Sequence, residues 1–270
     1  MARPITFLSD YGYADEFAGV CRAVIAEIAP DALVIDLTHG VPRHAVRQGA
    51  VLLANALPFT PPGVHLAIVD PGVGTERRPV AVRVANEDRL LVGPDNGVLA
   101  LAAQRCGGGA EAVDLTTSPH RLEELTFTFH GRDVFAPVAA HLALGEPLAA
   151  AGERVDPATL TRIELPEPRI YPDRIVAHVI YVDGFGNATL NIDHETLAST
   201  FLRLGEQLVV EAGGSKLTVP FGRTFADVGT GEGIVYEDSS RTLALAVNRD
   251  SAATRLGLAP DDEVVLSPAK

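Results

Sequence analysis

A chain of 270 residues, 47% hydrophobic and 21% charged, is long enough for one large hydrophobic core or two modest ones. Its formal net charge of −13 argues against nucleic-acid and anionic-membrane partners, which require a basic surface. Cys21 and Cys106 have no metal-ligand or CxxC spacing, and no apolar run reaches about 18 residues; with no leader before the first strand, the expectation is a cytoplasmic protein with reduced thiols.

The first half alternates short apolar strands, expected over 5–8, 33–37, 65–69, 80–84, 90–92 and 111–115, with helical stretches over 15–28, 45–56, 97–104 and 134–144. Asp15 is a candidate N-cap for the first helix, where Phe17, Val20, Val24, Ile25 and Ile28 recur at helical spacing. Such alternation predicts a mostly parallel sheet flanked by helices, in a domain over 1–165. A proline-punctuated linker follows over 165–172. Strands are then expected over 174–182, 188–192, 207–211, 216–220, 241–247 and 263–266, with turns at 212–214 and 229–233. This spacing is that of a small antiparallel barrel or sandwich over 174–270. The expected fold class is α/β, with a smaller C-terminal antiparallel β-barrel domain.

Polar clusters recur where the first-domain strands end. They are Ser9-Asp10-Tyr11-Gly12, Asp36 with Thr38-His39-Gly40, Asp70, and Gly93-Pro94-Asp95-Asn96-Gly97; Thr128-Phe129-His130-Gly131-Arg132-Asp133 precedes a helix. One such cluster is ordinarily a turn or a cap, but five at one sheet edge point to a ligand site. In Ile68-Val69-Asp70-Pro71-Gly72-Val73-Gly74-Thr75-Glu76-Arg77-Arg78 the turn must start at Asp70, and it returns two guanidiniums within eight residues. Asp70, Arg77 and His130 together supply an acceptor, a charged orienter and a titratable base, the parts of a water-activating site. Asp10 is placed to accept from a ribose diol, yet neither GxGxxG nor GxxxxGK[ST] occurs, which favours a nucleoside without phosphates. In the second domain, Asp183 could bind an ammonium, Phe185 offers an aromatic face and Asn187 can pair with an adenine edge; the same residues also suit a plain hairpin turn.

Taken together, these segments resemble the S-adenosyl-L-methionine (SAM) hydroxide adenosyltransferase family, the SAM hydrolases related to fluorinase and chlorinase enzymes. The resemblance extends through Ala246-Val247-Asn248-Arg249 and Arg255-Leu256-Gly257-Leu258. It implies a homotrimer with sites at subunit interfaces and a reaction in which SAM and water give adenosine and L-methionine. SAM is then the substrate, with no cofactor and no metal. It assigns Asp70, Arg77 and His130 to catalysis. Asp10 goes to the ribose, Asp15 and Asp183 to the methionine end, and Asn187 to adenine beside Phe185. Ser240 and Arg241 fall to the methionine carboxylate, and the backbone of Asn248 and Arg249 to the adenine pocket. A carboxylate at 70 and an imidazole at 130 suit water rather than a halide. Two other classes stay open: a SAM or adenosine sensor without turnover, and a metal-dependent phosphoesterase using Asp10, Asp36, Asp70, Asp95, His39 and His130.

Overall fold

The computed structural model describes residues 1–269, which form two compact units, Met1–Ile163 and the chain from Glu164 onward. The first unit holds strands β1 (Ile5–Ser9), β2 (Val34–Thr38), β3 (Val64–Ile68), β4 (Pro79–Val84), β5 (Leu90–Pro94), β6 (Gly109–Asp114) and β7 (Glu153–Val155). Its helices are α1 (Phe17–Ile28), α2 (Val46–Ala56), α3 (Ala100–Arg105) and α4 (Ala136–Ala143). The sheet order is β2-β1-β3-β5-β4-β6-β7. Neighbours from β2 to β5 pair in parallel, and β4, β6 and β7 pair antiparallel, so five of the seven strands point one way.

The apolar pattern explains the layering. Every residue of β1, β3 and β5 is buried, as expected of strands covered on both faces. Ile5, Phe7, Leu66 and Ile68 face one core with α1 and α4, while Leu8, Ala67 and Val69 face a second core with α2 and α3. One local expectation fails. Asp15 does not cap α1; Glu16 occupies the N-cap with helical φ and ψ and no side-chain hydrogen bond. Residues 13–17 are exposed, so water can serve the free amides there.

The second unit holds β8 (Arg169–Ile170), β9 (Ile175–Val182), β10 (Ala188–Asp193), β11 (Gln207–Ala212), β12 (Ser215–Gly222), β13 (Gly233–Glu237), β14 (Thr242–Val247) and β15 (Glu263–Pro268), with short helices α5 (His194–Ala198) and α6 (Ala252–Leu256). The order β10-β14-β13-β12-β11-β15-β9 closes through β10–β9 pairing into a seven-stranded barrel around one apolar core. All pairings are antiparallel except β12–β13, so the barrel is mixed rather than purely antiparallel. Two sequence expectations need correction. β13 begins inside the stretch read as a turn: its first residue, Gly233, closes the glycine-rich run, and pairing with β12 and β14 makes the segment a strand. The proline-rich linker is fastened to the second unit: β8 pairs with β9, and Asn191 Nδ2 donates to the Pro166 carbonyl at 2.7 Å.

Candidate active site

Parallel pairing of β1, β2, β3 and β5 brings Ser9-Asp10, His39, Asp70 and Asp95-Asn96 to one carboxyl edge, the usual ligand side of such a sheet. From Asp70 the chain turns tightly. Val73 N–H donates to the Asp70 carbonyl, and Thr75 donates to Gly72 O through both its amide and its hydroxyl. Gly74 sits at φ 77°, and a β-carbon there would come within 2.5 Å of Phe127 O, so glycine is required. The turn delivers Arg77 back to Asp70 as a bidentate pair, Nε to Oδ1 at 3.0 Å and Nη2 to Oδ2 at 2.5 Å. Both side chains are only 7% exposed. Arg78, pointing the other way along the extended chain, pairs with Asp95 instead, Nη2 to Oδ2 at 2.6 Å.

His130 reaches the pair from a loop that enters α4 through a π-helical turn, Gly131–Phe135. Such turns recur at functional sites. Asp133, fully buried, holds the loop by accepting from the amide and hydroxyl of Thr126, each at 2.7 Å, and from Arg132 Nε at 2.6 Å. His130 Nδ1 then lies 3.3 Å from Arg77 Nη2, and the Phe135 ring underlies the guanidinium at 5.4 Å. A guanidinium has no acceptor, so Nδ1 must accept, and the neutral ring carries its proton on Nε2. Burial, reinforced by Arg77, pushes the imidazole below its ordinary pKa. Burial also pushes the Asp70 carboxyl up, against the opposing pull of Arg77. Arg77 Nη1 is buried without a hydrogen-bond partner. The cluster therefore combines a paired carboxylate, a neutral imidazole and a spare cationic donor.

The remaining candidates lie in several places. Asp10 Oδ2 accepts from the His44 amide at 3.0 Å, with His44 in the left-handed region at φ 67°. One amide leaves most of the four acceptor positions of a carboxylate for other donors. Asp15 lines a cavity of about 220 Å³ with Tyr13, Glu16, Arg22, Asp36 and His39.

In the second unit, Asp183 closes its own loop: Oδ1 accepts from the amides of Phe185 and Asn187, and Oδ2 from Asn187 Nδ2 at 2.8 Å. Phe185 stands 84% exposed, while Asn187 is buried. Arg241 is exposed and donates from Nε to Glu237 at 3.3 Å; the Ser240 amide donates to Asp238. The Asn248 amide donates to Glu232 O and its carbonyl accepts from Gly231, so both backbone groups are already paired; Arg249 sits at φ 62°.

Three further residues brace this region, of which Asn96 and Tyr11 had no supporting part in the sequence analysis. Asn96 Nδ2 donates to Val69 O at 2.8 Å, bracing the residue before Asp70. Asp133 anchors the His130 loop. Tyr11 packs its ring against Phe129, and its hydroxyl lies against Gly131. Asn96 and Asp133 lie inside quoted motifs, but only the folded chain shows what they bond. Of the six residues considered for a metal, Asp36, Asp70 and Asp95 are each paired with a separate arginine, Arg22, Arg77 and Arg78. Among the described residues, no group of three or more His, Cys, Asp or Glu is arranged to hold a metal ion. No helix among them is long and apolar enough to cross a membrane.

Comparison with known proteins matches residues 5–152 to the SAM hydroxide adenosyltransferase N-terminal domain and residues 177–265 to the C-terminal domain of that family. The relatives that bear the name (R)-S-adenosyl-L-methionine hydrolase include two from Salinispora. The one from Salinispora tropica is 47% identical over 262 residues, 96% of each chain. The one from Salinispora arenicola is 46% identical over 264 residues, again 96% of each. Among solved structures, an uncharacterized conserved protein from Thermotoga maritima is 35% identical with a TM-score of 0.90, covering 97% of this chain and 99% of that one.

Proposed function

Because the chain belongs to the SAM hydroxide adenosyltransferase family, we propose that it hydrolyses SAM, water attacking C5′ to release adenosine and L-methionine. Its Salinispora relatives are named for the (R) sulfonium epimer, and that epimer is the proposed substrate. The observation that carries the reading is the buried Asp70–Arg77–His130 cluster at the carboxyl edge of the parallel strands.

The reaction suits these parts. The water oxygen forms a bond to C5′ as the C5′–S bond breaks, and the bonding pair goes to sulfur, which leaves as a neutral thioether. The leaving group therefore needs no acid. Water, with a pKa of about 15.7 unassisted, needs a proton acceptor. With Nδ1 committed to Arg77, the neutral imidazole offers Nε2–H as a donor, and Asp70 is left to take the proton. Arg77 Nη1 is the spare donor that can hold the attacking oxygen. Placing water in line with the C5′–S bond contributes several kcal/mol through orientation.

The resemblance supports Asp10 at the ribose, Asp15 near the methionine end, Asp183 at the methionine ammonium, Ser240 and Arg241 at its carboxylate, and Asn187 with the backbone of Asn248 and Arg249 at adenine; Phe185 offers an aromatic face beside them. It also supports a homotrimer with sites at subunit interfaces, and light scattering of purified protein tests the trimer. The activity itself is tested by chromatography of products from (R)-SAM, with chelator and with chloride in parallel. Adenosine and methionine, unchanged by chelator and lost in Asp70→Ala, are expected. Intact SAM despite measurable binding would replace the hydrolase by a sensor.

A further inference from the structure

Beside the Asp10 carboxylate, a second polar chain runs through groups with no assigned part in the reaction. Ser9 ends β1 and His39 follows β2, its parallel neighbour; both side chains are fully buried. Ser9 Oγ lies 2.7 Å from His39 Nδ1, and His39 Nε2 lies 3.4 Å from Asp36 Oδ1, both of these last two atoms being buried without a hydrogen-bond partner. Arg22 Nη1 donates to the other oxygen of Asp36 at 2.7 Å. Phe7 and Tyr13 hold the imidazole edge-on, with ring centroids at 4.5 and 5.1 Å.

The direction of every proton in this chain is determined. An unprotonated Nε2 would set a lone pair against a carboxylate, so Nε2 carries hydrogen. Burial holds the ring below its ordinary pKa, hence neutral, and Nδ1 must accept. Ser9 therefore donates its hydroxyl to Nδ1. Its remaining lone pairs accept the Tyr11 amide at 3.3 Å, while the His39 carbonyl accepts the Gly12 amide at 2.7 Å. Asp10 is thus bracketed: Ser9 before it bonds the His39 ring, and Gly12, two residues after it, bonds the His39 carbonyl. Its own amide donates to Ile68 O on β3.

We propose that Ser9 and His39 are positioning residues for Asp10, fixing the loop so that its carboxylate faces the two ribose hydroxyls. This rests on the reading of Asp10 as the ribose acceptor. Both act through the backbone, Ser9 at the Tyr11 amide and His39 at Ser9 and the Gly12 amide. The consequence is selective. Loosening the clamp should cost recognition of the diol while leaving the rest of nucleoside binding intact.

The test compares adenosine, 2′-deoxyadenosine and 3′-deoxyadenosine by calorimetry on the parent, Asp10→Ala, His39→Phe and Ser9→Ala. His39→Phe keeps the ring packing, and Ser9→Ala carries the test should that variant fail to fold. The parent should prefer adenosine over each deoxy analogue by about 10-fold or more, the scale of a hydrogen bond to a charged group. In His39→Phe and Ser9→Ala that preference should fall to within about 3-fold, with affinity for the deoxy analogues near the parent value. A folded variant that keeps the full preference overturns the proposal, as does equal weakening of all three ligands, which marks a purely structural role. Retention of the preference in Asp10→Ala overturns the ribose assignment itself, an outcome separable from loss of the clamp alone.

Discussion

The hydroxyl of Tyr11 occupies the space that a side chain at Gly131 would need: a β-carbon built on Gly131 would lie 2.1 Å from Tyr11 Oη. Tyr11 follows Asp10, and Gly131 follows His130, so this contact joins two loops that both carry proposed site residues. Gly131→Ala should therefore destabilise the protein by about 1–3 kcal/mol, the usual range for overpacking. Tyr11→Phe in the same chain should recover much of that loss. A double-mutant cycle by denaturant titration checks it, and full additivity would refute the contact.

Asp70→Asn keeps the size of the side chain and one acceptor for Arg77 but removes the proton acceptor. Loss of a positioned base is worth about 10²–10⁴ in rate, and the decrease should appear in kcat with SAM affinity near that of the parent. Single-turnover assays with chromatography of adenosine separate the two quantities. A variant limited only by KM would assign Asp70 to binding.

The acid limb of kcat/KM should lie above pH 3.8, because burial raises the Asp70 carboxyl from that value while it lowers the His130 imidazole. Protonating either group disrupts the cluster: Asp70 ceases to accept, and His130 loses the lone pair that receives Arg77. A pH–rate profile that stays flat down to pH 3.8 would contradict this. Since folding lowers the imidazole pKa, the stability that His130 contributes is complete above 6.5 and is lost as pH falls below it.

The same loss of stability on acidification is stronger at His65. It is fully buried, bonded through Nδ1 to Thr6 Oγ1 at 2.8 Å and through Nε2 to Arg89 Nη1 at 3.1 Å. Burial, with Arg89 beside it, lowers its pKa from 6.5 to about 3. Acidification across that window should destabilise the fold with a slope of about 1.4 kcal/mol per pH unit from this one group. His65→Gln should flatten the slope in acid-denaturation curves. An unchanged slope would place the acid-sensitive group elsewhere.

Much of the architecture was legible because burial writes itself into local pattern. Strands covered on both faces read as apolar runs, and a proline-glycine turn after Val69 leaves Asp70 at a strand end wherever that strand is placed. The failures share a cause. β13 is defined by pairing with its flanking strands β12 and β14, β8 by pairing with β9, and the start of α1 has no side-chain cap. Local periodicity carries no information about such partners.

Residue type and spacing by themselves determined the alternating first unit, the β-rich second one and the return of Arg77 toward Asp70, since φ restrictions at Pro and Gly act within a few residues. Tertiary structure alone decided that His130, 53 residues beyond Arg77, gives its Nδ1 to that guanidinium, and that Arg78 turns to Asp95. Only the parallel pairing of β1 and β2 set Ser9 on His39. Hydrogen bonds are short and directional, so which side chains share one is settled where strands and loops meet in space, and chain order does not record it.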